Sequence, residues 1–131
     1  MEELAGKILG IDYGSKRIGL AISDESQTLA RELAIWSPKE FWTKILDLVE
    51  GEGIVRVIIG LPLNMSGQDS DTTMYARQFA EKLKKQTEVA VEFMDERLSS
   101  VMAEGMPGGR VNVDSLAAQI ILQNYLDKQK S

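Results

Sequence analysis

The spacing of apolar and polar positions changes along the chain, and these changes predict where strands and helices begin. Two apolar runs, 7–13 and 18–23, are separated by a short polar turn, a pattern typical of an antiparallel hairpin. A third strand with looser alternation is predicted over 28–36. The nearly continuous apolar run 56–61 predicts a strand covered on both faces, and 88–95 predicts a fifth strand.

Helical spacing and helix-ending residues predict three helices between and after these strands. Ser37 is a suitable N-cap, Pro38 suits the first helical position and Glu40 completes a capping box. Gly51 or Gly53 is expected to end this helix. Two further helices are predicted, at about 71–85 with Tyr75, Phe79 and Leu83 at helical spacing, and at about 114–126. The order β-β-β-α-β-α-β-α predicts an α/β domain with a mixed five-stranded sheet flanked by helices, formed by residues 1–131.

Two absences in the composition limit the chemistry. The chain has no cysteine, which excludes disulfides, thiolate catalysis and thiolate metal sites. It has no histidine, which excludes the Ser-His-Asp triad and the usual zinc sites. The net charge of −5 argues against a polybasic nucleic-acid binder. The chain lacks an apolar run of membrane-spanning length and a signal-peptide pattern at its start, so a cytoplasmic protein is expected.

Acidic residues occur where predicted strands end and where the last helix starts. Asp12 ends the first strand, Asp95 and Glu96 end the fifth, and Asp114 starts the last helix. Each has an ordinary alternative: a turn residue, a surface ion pair or an N-cap. Adjacent strand residues point to opposite faces, so at most one of the Asp95–Glu96 pair should point at a shared site. Together these positions predict carboxylates that converge on one edge of the sheet.

Converging carboxylates without histidine favour Mg²⁺ or Mn²⁺, since hard cations prefer oxygen ligands. Two such ions about 4 Å apart can support phosphodiester cleavage without a histidine base. The segment 95–114 contains four acidic and two basic residues, and Asp12 brings the local charge to −3. Two divalent ions would change it to +1, so an acidic site could accept an anionic substrate once it binds metal.

Other polar residues near this edge are candidates for contacts with substrate. The loop that follows the fourth strand offers Asn64 and Ser66, with the alternative that it only leads into a helix. The candidate phosphate contacts are Lys16, Arg17, Arg97 and Arg110. The tryptophans, Trp36 and Trp42, are expected to pack in or beside the core, and no base-stacking surface is predicted from them.

Four blocks of the sequence carry distinctive motifs: 9–24 (LGIDYGSKRIGLAISD), 60–67 (GLPLNMSG), 95–100 (DERLSS) and 113–126 (VDSLAAQIILQNYL). In this order they resemble the signature blocks of the YqgF family, also called the RuvX or Holliday junction resolvase-like family. The ordered set is far more specific than any one block, and the resemblance spans nearly the whole chain.

The resemblance implies an RNase H-like fold and a metal-dependent nuclease, associated mainly with maturation of the 5′ end of pre-16S ribosomal RNA. Matched by motif, the family's three acids correspond to Asp12, Glu96 and Asp114, and Asp95 is expected to support them without contacting the metal itself. The implied partners are pre-ribosomal RNA or branched DNA, together with ribosome-assembly factors, and a monomer or weak dimer is expected. The chain departs from the family at 101–113, which is short and contains one basic residue, so weak substrate binding is expected.

Three alternatives remain open from the sequence. The block at 11–15 also resembles the first phosphate loop of actin-like and sugar-kinase ATPases, which enclose nucleotide between two such domains, while this chain supplies one. A catalytically weak nucleic-acid-binding module would suit the acidic charge, although it has no need for clustered carboxylates. Branched-DNA resolution would call for a dimer that cuts two strands symmetrically.

Overall fold

The elements of the protein follow the predicted order. The computed structural model describes residues 6–14, 16–61, 71–95 and 113–129. Its elements are β1 (Lys7–Asp12), β2 (Ile18–Ser23), β3 (Ala30–Trp36), α1 (Pro38–Glu52), β4 (Ile54–Leu61), α2 (Asp71–Thr87), β5 (Ala90–Asp95) and α3 (Val113–Gln129). The strands and helices predicted from the sequence are therefore confirmed, with boundaries that coincide or differ by at most three residues.

The five strands form one mixed sheet in the order β3-β2-β1-β4-β5. The hairpin β1–β2 and its neighbour β3 are antiparallel, whereas β1, β4 and β5 run parallel. The carboxyl ends of these three parallel strands consequently lie together, and we call this side of the sheet the carboxyl edge. The central strand β1 therefore ends at the edge where open sheets of this kind place functional residues.

Helices cover both faces of the sheet. The α1–α2 face buries the larger cluster, with Leu9, Ile11, Phe41 and Leu83 fully inaccessible. The α3 face buries a second cluster, which includes Ile8, Ile58 and Leu122. This division follows from the alternation of side chains along β1 and β4. Among the described helices, none combines the length and apolar character required to cross a bilayer.

The start of α1 is fixed by the residues that predicted it. The Ser37 side chain accepts a hydrogen bond from the Glu40 backbone N–H (3.2 Å), and the Glu40 carboxylate accepts one from the Ser37 N–H (3.0 Å). The bond from the Ser37 N–H lowers the pKa of Glu40. Gly53, the second of the two predicted stops, ends the helix in the left-handed conformation that favours glycine (φ 68°).

Candidate active site

Asp12 is the last residue of the central strand. It is half-buried, faces Gly19 of β2 in register, and directly follows the Ile11–Ile59 pair between β1 and β4. Ile8 belongs to the core on the α3 face, whereas Leu9 and Ile11 belong to the core on the other face. Since side chains alternate along a strand, Asp12 lies on the α3 face at the carboxyl edge.

Helix α3 runs antiparallel to β1, so its first residues reach the same edge. Gly10 is the point of close approach, since a Cβ there would lie 2.7 Å from the Leu122 Cβ and 3.1 Å from the Ala118 carbonyl oxygen. Position 114 precedes Ala118 by one helical turn, about 6 Å along the axis. Asp12 follows Gly10 by two residues, also about 6–7 Å. Position 114 also precedes Leu122 by two turns, about 12 Å along the axis, so Asp12 and the start of α3 both lie beyond Gly10 in the direction of the carboxyl edge.

Polar contacts at the far end of α3 hold the helix in this direction. The Arg56 guanidinium donates to the Tyr125 hydroxyl (2.6 Å) and pairs with the Glu92 carboxylate (3.2 Å) near the amino ends of β4 and β5. Burial raises the pKa of Tyr125. On the same face but at the opposite edge strand, β3, the Gln123 side chain accepts a hydrogen bond from the Ala30 backbone N–H (2.8 Å). These contacts fix the register of α3 against the sheet and hence the place where it begins.

Asp95 is the last residue of β5 and pairs in register with Leu61 of β4. Strand β5 is two strands away from β1, so the backbone at Asp95 lies on the order of 10 Å from the backbone at Asp12. Two other residues of β5 face α3: Glu92 accepts a hydrogen bond from the Tyr125 hydroxyl, and Met94 packs against the α3-face core. The strand therefore brings its final residues to the same edge as Asp12.

The turn between β1 and β2 carries two of the predicted phosphate contacts. Lys16 and Arg17 are both exposed, a few residues after Asp12. A Cβ on Gly14 would lie 2.6 Å from the Arg17 carbonyl oxygen, so this turn is tight enough to require glycine. Since this turn directly follows the end of β1, both cations lie at the carboxyl edge.

The remaining predicted site residues lie outside the part of the chain that the structure describes. They are Asn64, Ser66, Glu96, Arg97 and Arg110. Within the described residues, no group of three or more acidic side chains is close enough to hold a metal ion. Three of the four predicted acidic positions, Asp12, Asp95 and Asp114, belong to described elements that reach the carboxyl edge.

Beside the site, on the α1–α2 face, is an aromatic cleft of about 220 Å³ that the sequence analysis did not predict. Trp36 and Trp42 pack against the core as predicted, but Trp42 also forms a wall of this cleft. Two features of the sequence could have indicated this cleft. Tyr75 and Phe79 lie one turn apart in α2, and Trp42 lies in the first turns of α1. The lining residues are Tyr13, Ile18, Pro38, Trp42, Tyr75, Gln78, Phe79 and Lys82.

The sheet order and the helix that runs back along β1 define an α/β protein of the RNase H-like class. Consistent with this class, the fold is similar to a solved structure titled "T. thermophilus RuvC in complex with Holliday junction substrate". The similarity has a TM-score of 0.63 at 14% sequence identity and covers 95% of this chain and 96% of that one. The predicted RNase H-like fold is therefore confirmed.

Sequence comparison then identifies the family within this class. A family model described as "RuvX: Holliday junction resolvase" matches residues 6–128. A "Putative pre-16S rRNA nuclease" of Maridesulfovibrio salexigens is 37% identical, covering 92% of this chain and 97% of the relative. One of Chloroflexus aurantiacus, with the same name, is 38% identical and covers 95% and 88%. The chain belongs to the RuvX (YqgF) family, a family of nucleases, as the four sequence blocks indicated.

Proposed function

We propose that this protein hydrolyses phosphodiester bonds in RNA at the carboxyl edge of its sheet, and that its substrate is the 5′ end of pre-16S ribosomal RNA. The observation that carries the proposal is the position of Asp12, on the α3 face at the end of the central strand, at the edge toward which the start of α3 runs. The names of the curated relatives support the choice of RNA. We further propose that residues 1–131 act as one nuclease domain in the cytoplasm.

The catalytic carboxylates in this proposal are Asp12, Glu96 and Asp114. Glu96 is preferred to Asp95 because Glu92 and Met94 both face α3. Continued alternation along β5 would bring position 96, and not position 95, to the face that Asp12 occupies. Asp95 then serves as a neighbouring group that influences the site indirectly.

The donor set fits a hard divalent cation, because it consists of carboxylates in a chain without histidine or cysteine. Asp12, Glu96 and Asp114 would hold Mg²⁺ or Mn²⁺. When bound, the metal activates water and stabilises charge on the leaving oxygen. The protein's own part would be to hold these carboxylates, with Asp12 at the end of β1, Glu96 following β5 in the sequence and Asp114 at the start of α3.

Cationic and polar residues around the edge would position the substrate backbone. Lys16 and Arg17 are exposed at the β1–β2 turn, where they can contact phosphates on either side of the cleaved bond. We assign the same role to Asn64, Ser66, Arg97 and Arg110. The phosphate contacts hold the scissile bond against the carboxylates, and the −5 net charge keeps the affinity for nucleic acid low without metal.

Resolution of branched DNA is the second candidate, favoured by the family description and by the similarity of the fold to RuvC. It requires two sites in a dimer, whereas single-site RNA cleavage can be carried out by a monomer or weak dimer. A nucleic-acid-binding module of low activity is the third. Ribosome-assembly factors are the expected protein partners if the substrate is pre-ribosomal RNA.

A cleavage assay separates these functions. Purified protein is incubated with Mg²⁺ or Mn²⁺ and either an RNA that spans the 5′ end of 16S or a four-way DNA junction, with Asp114→Asn as the inactive control. We expect metal-dependent cleavage of the RNA and none of the junction. Cleavage of the junction alone would favour the resolvase, and wild type inactive on both would favour the binding module. Equal activity in Asp114→Asn would refute the assignment of the site.

A further inference from the structure

Some of the side chains that line the aromatic cleft pack in or against the core, whereas others do not take part in the core. Phe79 forms its floor and is 6% exposed. Around it, the Tyr13 ring centroid lies 4.7 Å from that of Phe79, and the Trp42 centroid lies 5.2 Å from it. The rings of both pairs are tilted to each other, at 37° and 52°, and all three residues line the cleft. The cleft therefore offers a flat ligand aromatic surfaces on more than one side.

Tyr75 forms the rim and is unusually exposed for its position. It precedes Phe79 by one turn of α2, yet 58% of its surface is accessible. A tyrosine in contact with a cleft and still open to solvent is available to stack on a ligand without rearrangement of the core. Its exposure has no explanation in the packing of the described residues.

The cleft lies next to the proposed catalytic carboxylate. Tyr13 directly follows Asp12, and the two side chains lie on opposite faces of the sheet at the same edge. Adjacent Cα atoms are about 3.8 Å apart, so a strand of nucleic acid that crosses this edge passes both groups. One extended strand can therefore place a phosphate near Asp12 and the base of a neighbouring nucleotide in the cleft.

Positive charge accompanies the aromatic rings in an otherwise acidic protein. The Lys82 ammonium lies 4.3 Å from the centre of the Trp42 ring. Lys16 and Arg17 are exposed on the turn between Tyr13 and Ile18, both of which line the cleft. Proteins bind single-stranded nucleic acid with aromatic rings, on which the bases stack, and with cations, which attract the phosphates. Both are present at this cleft.

We propose that the cleft between Tyr13, Trp42, Tyr75 and Phe79 binds one unstacked base of single-stranded RNA, with Lys82 paired to its phosphate. The inference deepens the proposed function, on which it rests, by assigning a substrate subsite beside the carboxylates. It makes single-stranded RNA a better ligand than duplex RNA, because bases in a duplex are not free to enter the cleft.

Binding to a ten-nucleotide oligouridylate, measured by fluorescence anisotropy with a metal chelator present, tests the subsite. Tyr75→Ala should weaken binding about 5- to 100-fold, the range expected for one stacked base. Tyr75→Phe should retain binding because it keeps the ring. Leu29→Ala is the matched control, since Leu29 is a large apolar side chain, 66% exposed, on the β2–β3 connection far from the cleft.

Tryptophan emission gives an independent readout. In a Trp36→Phe background Trp42 is the one remaining tryptophan, and oligouridylate should quench it, whereas an oligomer of abasic ribose-phosphate units should not. Unchanged affinity in Tyr75→Ala, or equal quenching by the abasic oligomer, would overturn the inference. So would self-association of the wild type that Tyr75→Ala abolishes, because the cleft would then be covered by a second copy. Since the chelator prevents cleavage, these results are separate from the cleavage assay.

Discussion

The proposed choice between Asp95 and Glu96 as the partner of Asp12 rests on the alternation of side chains along β5. Glu92 and Met94 face α3, and Phe93 instead meets Arg77 of α2, whose guanidinium lies 5.4 Å from the centre of its ring. Adjacency alone shows that Asp95 and Glu96 face opposite ways without showing which way, and the family resemblance favoured Glu96. The contacts of β5 show the face of residues 92 to 94, and the proposal extends that alternation to position 96.

This assignment predicts different effects for two neighbouring substitutions. Glu96→Gln should lower the metal-dependent cleavage rate by roughly 100-fold or more, since it removes a charge that acts directly at the site. Asp95→Asn should lower it by about tenfold or less, as for a group that acts through another residue. Rates measured at saturating Mn²⁺ provide the comparison. The reverse order of effects would show that the alternation does not continue past β5.

Tyr75 shows a limit of sequence reasoning at the same scale. Its spacing with Phe79 and Leu83 correctly predicted a helix, and those two residues are buried. The spacing predicted the same face for Tyr75, yet it is exposed, because periodicity identifies the face of a helix and not whether another element covers it. The aromatic cleft could therefore not be predicted from periodicity, because it is formed where α1, α2 and the end of β1 meet.

At the scale of elements, the approach of α3 to β1 brings the start of α3 to the edge where the proposed site lies. Gly10 allows this approach, because a side chain there would meet Leu122 and the backbone at Ala118. Apolar residues occur on every side of α3 between Leu116 and Leu126, so the sequence predicted the helix without predicting which side meets the sheet. The polar contacts of Arg56, Gln123 and Tyr125 make that choice.

Gly10→Ala should therefore destabilise the protein. The added methyl group forces α3 away from β1, at a cost of about 1–3 kcal/mol in the free energy of unfolding. It should also lower cleavage activity, because the start of α3 moves relative to Asp12. Urea denaturation measures the first effect and the cleavage assay the second.

Gly51→Ala is the control for this change. Gly51 lies in α1 with open space around its Cβ position, so alanine should stabilise the helix by about 0.5–1 kcal/mol. Equal effects of the two substitutions on unfolding would show that α3 does not pack tightly on Gly10.

At the scale of the whole molecule, the distribution of charge reconciles an acidic protein with a nucleic-acid substrate. The net charge of −5 opposes nonspecific binding. The proposed metal site uses carboxylates at the end of β1, just after β5 and at the start of α3, while Lys16, Arg17 and Lys82 are exposed around the cleft. Substrate would thus bind in a limited region that becomes attractive when metal is present. The sequence predicted the acidic site and the cations Lys16 and Arg17. It did not predict that Lys82 lies at the cleft, because that position depends on how α2 packs against α1 and the sheet.

The cleavage rate of Asp12→Asn on the pre-16S RNA fragment tests the central claim most directly. The substitution keeps the size of the side chain at the end of β1, removes its charge and replaces one acceptor oxygen by an amide NH2 donor. We predict loss of Mn²⁺-dependent cleavage by roughly 100-fold or more, with a urea unfolding midpoint close to that of wild type. Cleavage at the wild-type rate by the folded variant would contradict the account.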